Sequence, residues 1–334
     1  MRVGLTFNLR KTGSERESVF DSPITIESIK KALESGGHRV KLYEASSETL
    51  YYLLSLDRPQ IVFNVAEGRY GVYGEAFVPS VLDELRIPYT GPSPLGASLA
   101  VNKVASKLIL DSAGVDVPKL YQFIVSKDEQ IKPIEKFPVI VKPVFEGASI
   151  AISSKSICDS QDEVEVAAKR IWERLKRPVM IEEFIEGREV TVGVLGNFPP
   201  KALPPLEIDF STLSKREAKL SNGIQTFRFK MNYSEKASYH LPARFEESVL
   251  NKIKDSAEKA FVALNLRDVA RFDIRVSNDF TPYVLEVNAI VGLEPEHSDL
   301  PRIYKLMGRT YEDLIDDILK SAIERFQKVR RINF

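Results

Sequence analysis

Cysteine is almost missing from this 334-residue chain. Cys158 stands alone, so no intrachain disulfide can form, and with no histidine near it in sequence it reads as a buried or incidental thiol. Histidine is nearly as scarce. His38, His240 and His297 show no metal-ligand spacing, which argues against a zinc site or a His-based triad. Neither sign of charge is in excess: 47 Lys and Arg balance 47 Asp and Glu, so no overall field draws the protein to nucleic acid or to an anionic membrane. No apolar run reaches the roughly 18–20 residues of a membrane span. The opening residues MRVGLTFNL lack the long apolar core and cleavage site of a secretory signal. The expectation is a cytoplasmic protein with no nucleic-acid and no membrane partner. Two phosphate-binding signatures are also missing, the G-x-x-x-x-G-K-[ST] loop and the G-x-G-x-x-G turn.

What is present is globular: 43% hydrophobic and 28% charged residues, over a length that suits two or three domains with real cores. MRVGLTF is a short apolar run fit for a buried strand. ITIESIKKALESGGHRVKLYEA reads as a helix with Ile26, Ile29, Ala32 and Leu33 on one face, a Gly36–Gly37 stop, and a strand. RPQIVFNVAEG gives another buried strand, and GEAFVPSVLDELRIPYTG a helix and a short strand. This alternation predicts a parallel sheet ending near the turn-rich Gly91–Pro94. A second block follows. Lys103 precedes a helix that ends at Gly114, FPVIVKPVFEGASIAIS reads as strand, Gly-containing loop and strand, and DEVEVAAKRIWERL is an amphipathic helix. VMIEEFIEGREVTVGVLG is expected to pair two strands around Glu186–Gly187. The remainder holds a polar segment, Phe210–Ser238, a helix near Phe245–Leu264, a hairpin from Val269 to Gly292 and a C-terminal helix with a solvated basic end, KVRRINF.

The hairpin VARFDIRVSNDFTPYVLEVNAIVG carries the chemistry. Phe272, Ile274 and Val276, then Tyr283, Leu285 and Val287, occupy one set of alternate positions. Arg271, Asp273, Arg275, Glu286 and Asn288 occupy the other. If Val276 faces Tyr283, Asp273 lies opposite Glu286 and Arg271 opposite Asn288; a tighter turn would instead pair Arg271 with Glu286. Opposed carboxylates repel and need a cation. Mg²⁺, which takes one or two carboxylates together with phosphate oxygens, suits Asp273, Glu286 and the Asn288 amide oxygen. Arg271 beside them could stabilise a developing oxyanion. A surface salt-bridge ladder between the arginines and the acids is the other reading of the same residues. Phosphates would need cations, and Lys142 in FPVIVK, the Gly147 loop after it and Lys103 could supply them with backbone N–H groups. The apolar Phe184–Ile185 flanked by Glu182, Glu183 and Glu189 could offer an adenine its backbone donors and acceptors; an exposed hairpin is the plainer reading.

In this order, NKVASKLILDSAGVDVP, FPVIVKPVFEGAS, IEEFIEGREVTVGVL, LPPLEI and RFDIRV…YVLEVN resemble the ATP-grasp superfamily, and within it the D-alanine–D-alanine ligase family. The likeness runs over nearly the whole chain. It implies an α/β protein of ATP-grasp architecture: an N-terminal parallel α/β domain (1–98) followed by two α+β units (99–186 and 187–334) that sandwich ATP. It implies that Lys103 and Lys142, with Ser149 in the loop, contact phosphates. Glu182, Glu183, Phe184 and Ile185 would form the adenine hinge, Glu189 would hold the ribose, and Lys219 would reach the γ-phosphate from a mobile loop within Phe210–Ser238 that closes over it. Asp273, Glu286 and Asn288 would hold two Mg²⁺ ions, with Mn²⁺ as an alternative metal. Arg271 and the Gly292 N–H would hold the oxyanion. The implied reaction is ATP-dependent carboxylate–amine ligation through an acyl phosphate, with small amino-acid or peptide substrates and a homodimeric assembly. Nucleotide binding without ligation, or phosphotransfer alone, are the other classes.

The sequence departs from that family's pattern around the amino-acid pocket. Glu67–Gly68 stands where the family has His-Gly, Ala148 replaces the first Ser of E-G-S-S, and Leu220 replaces the Tyr that latches the loop. Ala289 and Val291 replace Thr and Pro in the last motif. A Ser-Leu pair that holds the second substrate's carboxylate becomes Ser298–Asp299–Leu300, and GSERES leaves Glu15 and Glu17 both open for the family's S-x-E. Glu67 and Ser298 are therefore the candidate substrate contacts. The expectation is that D-alanine paired with itself is a poor substrate, and that a larger or additionally cationic amino acid does better.

Overall fold

The computed structural model describes residues 1–12, 17–45, 48–214 and 237–332. The chain begins with a three-stranded parallel sheet in the order β2-β1-β3, from β1 (Arg2–Phe7), β2 (Arg39–Glu44) and β3 (Ile61–Asn64). Helix α1 (Pro23–Ser35) connects the first two. Ser22 caps it by accepting from the Thr25 N–H, Pro23 opens its first turn, and Gly36 and Gly37 end it. Its Ile26, Ile29, Ala32 and Leu33 are buried, as their spacing predicts. Helices α2 (Leu50–Asp57) and α3 (Phe77–Glu84) help form a second core around Tyr43, Val62 and Tyr89. The short strand expected after α3 is only a single parallel bridge between Val62 and Tyr89.

Two antiparallel sheets follow. After α4 (Pro94–Val101) and α5 (Lys103–Ser112), the strands β4 (Leu120–Ile124), β5 (Val139–Pro143), β6 (Ile157–Cys158) and β7 (Val179–Glu183) form a sheet in the order β4-β7-β5-β6. Helix α6 (Gln161–Leu175) covers it with Val164, Ala167 and Ile171 against Val139, Val141 and the buried Cys158. The other sheet contains β8 (Gly187–Leu195), β9 (Lys201–Ala202), β10 (Leu206–Asp209), β11 (Ser238–His240), β12 (Val269–Ser277) and β13 (Pro282–Asn288). Its order is β11-β10-β8-β12-β13, with β9 beside β8. Helix α7 (Glu247–Ala263) packs Ile253, Ala257, Ala260 and Phe261 in one core with Val190, Val192, Phe272 and Ile274.

Four local expectations need correction. The strands on either side of Glu186–Gly187 do not pair with each other: β7 lies between β4 and β5, while β8 lies between β10 and β12. Phe184–Glu186 therefore crosses from one sheet to the next. Gly187 allows the crossing, because its φ of +151° and a position where a Cβ would lie 2.0 Å from the Val276 carbonyl oxygen leave no room for a side chain. The segment IAIS is not a strand. Ala148, Ser149 and Ala151 have φ of 49°, 58° and 61°, and Ile150 and Ile152 donate to the carbonyls of Gly147 and Ser149, so the loop coils until β6. Lys103 does not precede its helix but is the first residue of α5, with Asn102 as N-cap. In the hairpin, Asp273 faces Glu286 and Arg271 faces Asn288, but a bulge between Asp273 and Ile274 pairs Val276 with Pro282 rather than Tyr283. Val284 therefore takes the core position, and Leu285 turns into the cavity on the polar face.

The chain closes on its beginning. Helices α8 (Asp299–Leu306) and α9 (Tyr311–Ile332) return to the N-terminal sheet, where Leu314, Ile315, Ile318 and Leu319 share a core with Val3, Leu5, Ile29 and Leu33.

Candidate active site

The crossing between the two antiparallel sheets leaves a cavity of about 80 Å³, walled by Lys142, Ser149, Glu182, Glu183, Phe184, Ile185, Glu189, Asp273 and Glu286. Strand β5 presents Lys142 to it, β7 Glu182 and Glu183, the coiled loop Ser149, the crossing segment Phe184 and Ile185, and β8, β12 and β13 present Glu189, Asp273 and Glu286. Glu182 is 1% exposed and takes Lys142 at 2.5 Å and Lys107 at 3.0 Å. Burial opposes its ionisation, but the two lysines outweigh burial and hold it below the usual carboxylate range. Burial pulls Lys107 down to about 8 against the attraction of Glu182. Glu189 pairs with Arg275 at 2.7 Å, and that guanidinium lies 5.2 Å above the Phe184 ring. Neither Lys107 nor Arg275 was among the candidates. Lys107 follows Lys103 by one helical turn, a signal the sequence did offer.

A second cavity, of about 240 Å³, adjoins the first, and Glu286 lines both. Lys103 reaches Glu286 at 2.9 Å and donates to the Glu146 carbonyl at 2.6 Å, tying α5 to β13 and to the coiled loop. Asp273 accepts from Thr191 at 2.8 Å, from Asn288 at 3.2 Å and from both Nε and Nη2 of Arg271 at 3.0 Å. The hairpin is thus a charged ladder, as one reading of the sequence had it, but it faces a cleft between sheets. Burial opposes the charge on Arg271, yet Asp273 and Asp299 keep the guanidinium firmly protonated. Gly292 and Ser298 meet at the far wall, where a Cβ on Gly292 would lie 3.0 Å from Ser298 Oγ. Among the described residues no group of three or more His, Cys, Asp and Glu side chains could hold a metal ion. Two facing carboxylates and an amide on adjoining strands instead fit a cation that completes its shell with phosphate oxygens, which is the habit of Mg²⁺.

Glu67 lines the second cavity beside Glu75, a residue the sequence reading passed over. Burial, then the charges of Glu75 and Asp21 and a hydrogen bond with Glu75, push the Glu67 carboxyl well above its ordinary range. Burial raises Glu75 to about 7. Arg69 is held by Glu17 and Glu44. Glu17 also accepts from the N–H groups of Lys11 and Thr12, so it serves its own loop and does not line the cavity. Glu15, Lys219 and Leu220, with most of the segment expected to close over the phosphates, lie outside the described residues.

A cleft between two antiparallel sheets that are joined by one crossing segment is the architecture of the ATP-grasp enzymes: the chain is a ligase of that class, driven by ATP. The family model for the D-ala D-ala ligase C-terminus matches residues 109–320. Similar proteins include the D-alanine–D-alanine ligase of Aquifex aeolicus, 33% identical over 92% of this chain and 96% of that one, and the enzyme of the same name from Desulforamulus reducens, 30% identical over 97% and 99%. A further relative is the uncharacterized protein y4sG of Sinorhizobium fredii, 32% identical over 90% of this chain and 88% of that one. Two crystal structures of D-alanine–D-alanine ligase from Bacillus anthracis share the fold at 21% identity. One has a TM-score of 0.76 and the other, complexed with ATP, 0.75, and each covers 98% of this chain and 99% of that one. The chain belongs to the D-alanine–D-alanine ligase family.

Proposed function

We propose that the protein joins two amino acids, or an amino acid and a peptide, using ATP, by the residues that line these two adjoining cavities. The observation that carries the reading is Glu286, a single carboxylate in the wall of both cavities, with Asp273 opposite and Lys103 and Arg271 close by. Adenine would lie along Glu182–Ile185, with Glu189 on the ribose and Lys142, Ser149 and Lys103 on the phosphates. Lys219 would complete that set. Asp273, Glu286 and Asn288 would hold Mg²⁺, which neutralises charge on the transferring phosphoryl group when bound. In the neighbouring cavity a substrate carboxylate attacks the γ-phosphate, giving an acyl phosphate and ADP. The amine of the second substrate then attacks the acyl carbon, and phosphate leaves. Arg271 and the Gly292 N–H would stabilise the oxyanion of that step, and Ser298, at the start of α8, would receive a substrate carboxylate. The functional units on this reading are 1–98, 99–186 and 187–334, in a cytoplasmic homodimer.

The test is ADP release with saturating Mg²⁺ and ATP against D- and L-amino acids, singly and in pairs. A ligase releases ADP at a rate set by the amine. Release that needs only one carboxylate substrate would point to phosphotransfer, and no release with any pair would point to a nucleotide-binding protein.

A further inference from the structure

The transfer cavity does not end at Glu67 and Glu75. A third cavity, of about 330 Å³, lies on their other side, and the two share Val19, Glu67, Glu75, Val101 and Gly147 as a common wall. The pair of carboxyl groups therefore stands at a passage between two spaces. The loop that brings the pair together closes on itself: Gly68 has φ +78°, and a Cβ there would sit 2.1 Å from the Gly74 carbonyl oxygen. With the Glu67 carboxyl pushed well above its ordinary range and Glu75 raised to about 7, the pair gains negative charge as the pH rises through neutrality. Among the described residues no Lys or Arg forms an ion pair with either one. The cations nearby are engaged elsewhere, Arg69 with Glu17 and Glu44, Arg177 with Glu146 at 3.1 Å, Arg271 with Asp273, and Lys103 with Glu286. Beside the passage lie the apolar Val19 and Val101 and, on the outer side, Phe145 and Ile150, while Arg69, Glu146 and Arg177 also line the outer cavity. Apolar side chains on either side of a charged station suit a chain of methylenes ending in a cation.

We propose that one of the two substrates carries a second cationic group, an ammonium or guanidinium on a side arm, and that Glu67 and Glu75 bind it where the arm passes from the transfer cavity towards the outer one. This rests on the ligase reading above and names its substrate class: a basic amino acid, or a peptide that displays one. The methyl group of alanine reaches neither the carboxyl pair's far side nor the outer cavity. A basic arm fills both and brings a cation into direct contact with the pair, on which Lys103 and Arg271 act only from their own pairings with Glu286 and Asp273.

The experiment compares kcat/KM for ADP release with alanine, ornithine, lysine and arginine of both configurations, and with dipeptides containing them, offered in pairs. Norleucine and citrulline serve as uncharged controls of matching length. At least one pair containing a basic residue is expected to exceed every uncharged pair by tenfold or more. Glu75→Gln is expected to cut that advantage at least tenfold, as is Glu67→Gln. Uncharged pairs that match or exceed the basic ones overturn the proposal and leave the ligase reading standing, and this arm needs only the wild-type protein. A basic preference that survives both substitutions also overturns it, since the preference then arises elsewhere. Absence of amine-dependent ADP release with every pair removes the ligase reading, and the proposal with it.

Discussion

On the proposed reading the two halves of the reaction depend on Glu286, because it lines both of the adjoining cavities. Its replacement by Gln keeps the shape and removes the charge that faces Lys103. Loss of such stabilisation costs several kcal/mol, so Glu286→Gln is expected to lose at least about 100-fold in turnover while the fold survives. Steady-state kinetics at saturating Mg²⁺, with circular dichroism to check the fold, measures this; turnover within tenfold of wild type removes Glu286 from the mechanism. Glu75 gives a prediction of another kind. Its carboxyl titrates at about 7 in the fold against an ordinary 4.5 because burial disfavours the charged form. A raised acid is at its most favourable for the fold below 4.5, and stability is lost as pH climbs from there to about 7. Urea midpoints of wild type should therefore fall relative to Glu75→Gln across that window, and a constant difference from pH 4.5 to 8 would contradict the burial of the pair. Some of these residues were legible in the sequence and others were not, for a physical reason. Arg271, Asp273, Glu286 and Asn288 announce themselves as polar residues on one side of an otherwise apolar hairpin. Glu75 does not, because Glu67, which gives it meaning, reaches it only through the fold; Arg275, on the same side of the hairpin, and Lys107, one turn after Lys103, are visible, but their partners Glu189 and Glu182 are not.

Elements were legible wherever local pattern and tertiary role agree. The face of α1 and the covering face of α6 follow from a period of 3.6, and the shared side of Asp273 and Glu286 from a period of 2, while the register that opposes them is one of the two the pattern allows. Misreadings occurred where backbone geometry, which side-chain patterns do not encode, decides the matter. Two adjacent strands with a Gly between them look like a hairpin, yet β7 and β8 serve different sheets. An alternating run, IAIS, coils because three of its neighbouring residues take left-handed φ values. The loop Glu67–Glu75 belongs to the same class, and its closure can be tested. Gly68 is left-handed and touches the Gly74 backbone, so an alanine there needs both an unfavourable φ and a displaced carbonyl. Gly68→Ala is expected to cost about 2 kcal/mol or more and to raise the KM of the amino-acid substrate, because it separates Glu67 from Glu75. Denaturant midpoints and KM values unchanged within error would mean that the loop does not hold the pair.

For the molecule as a whole, the last helix is what joins the end of the chain to its beginning. The sequence predicts α9 as a helix but does not say which core it serves, because three cores of similar composition compete for its apolar residues. The polar contacts settle the choice. Asp268, fully buried with φ +63°, accepts the Gly91 N–H at 2.9 Å, the Asn197 amide at 3.0 Å and two bonds from Arg325 of α9, at 2.7 and 3.0 Å. Arg325 also donates to the Tyr89 carbonyl at 2.8 Å. One carboxylate thus gathers the turn after the parallel sheet, the end of β8, the start of β12 and the final helix. Removing Arg325 would leave that charge buried with only two neutral donors, and breaking a buried pair from one side typically costs about 3–5 kcal/mol. Arg325→Ala is therefore expected to lower stability by that amount. Asp268→Asn added to it should recover part of the loss, because the uncompensated charge is gone while an acceptor remains for Gly91. Chemical denaturation of the two single variants and the double variant measures the coupling. If the double variant is destabilised by the full sum of the singles, Asp268 and Arg325 act independently, and the joint between the two ends of the chain rests on apolar packing alone.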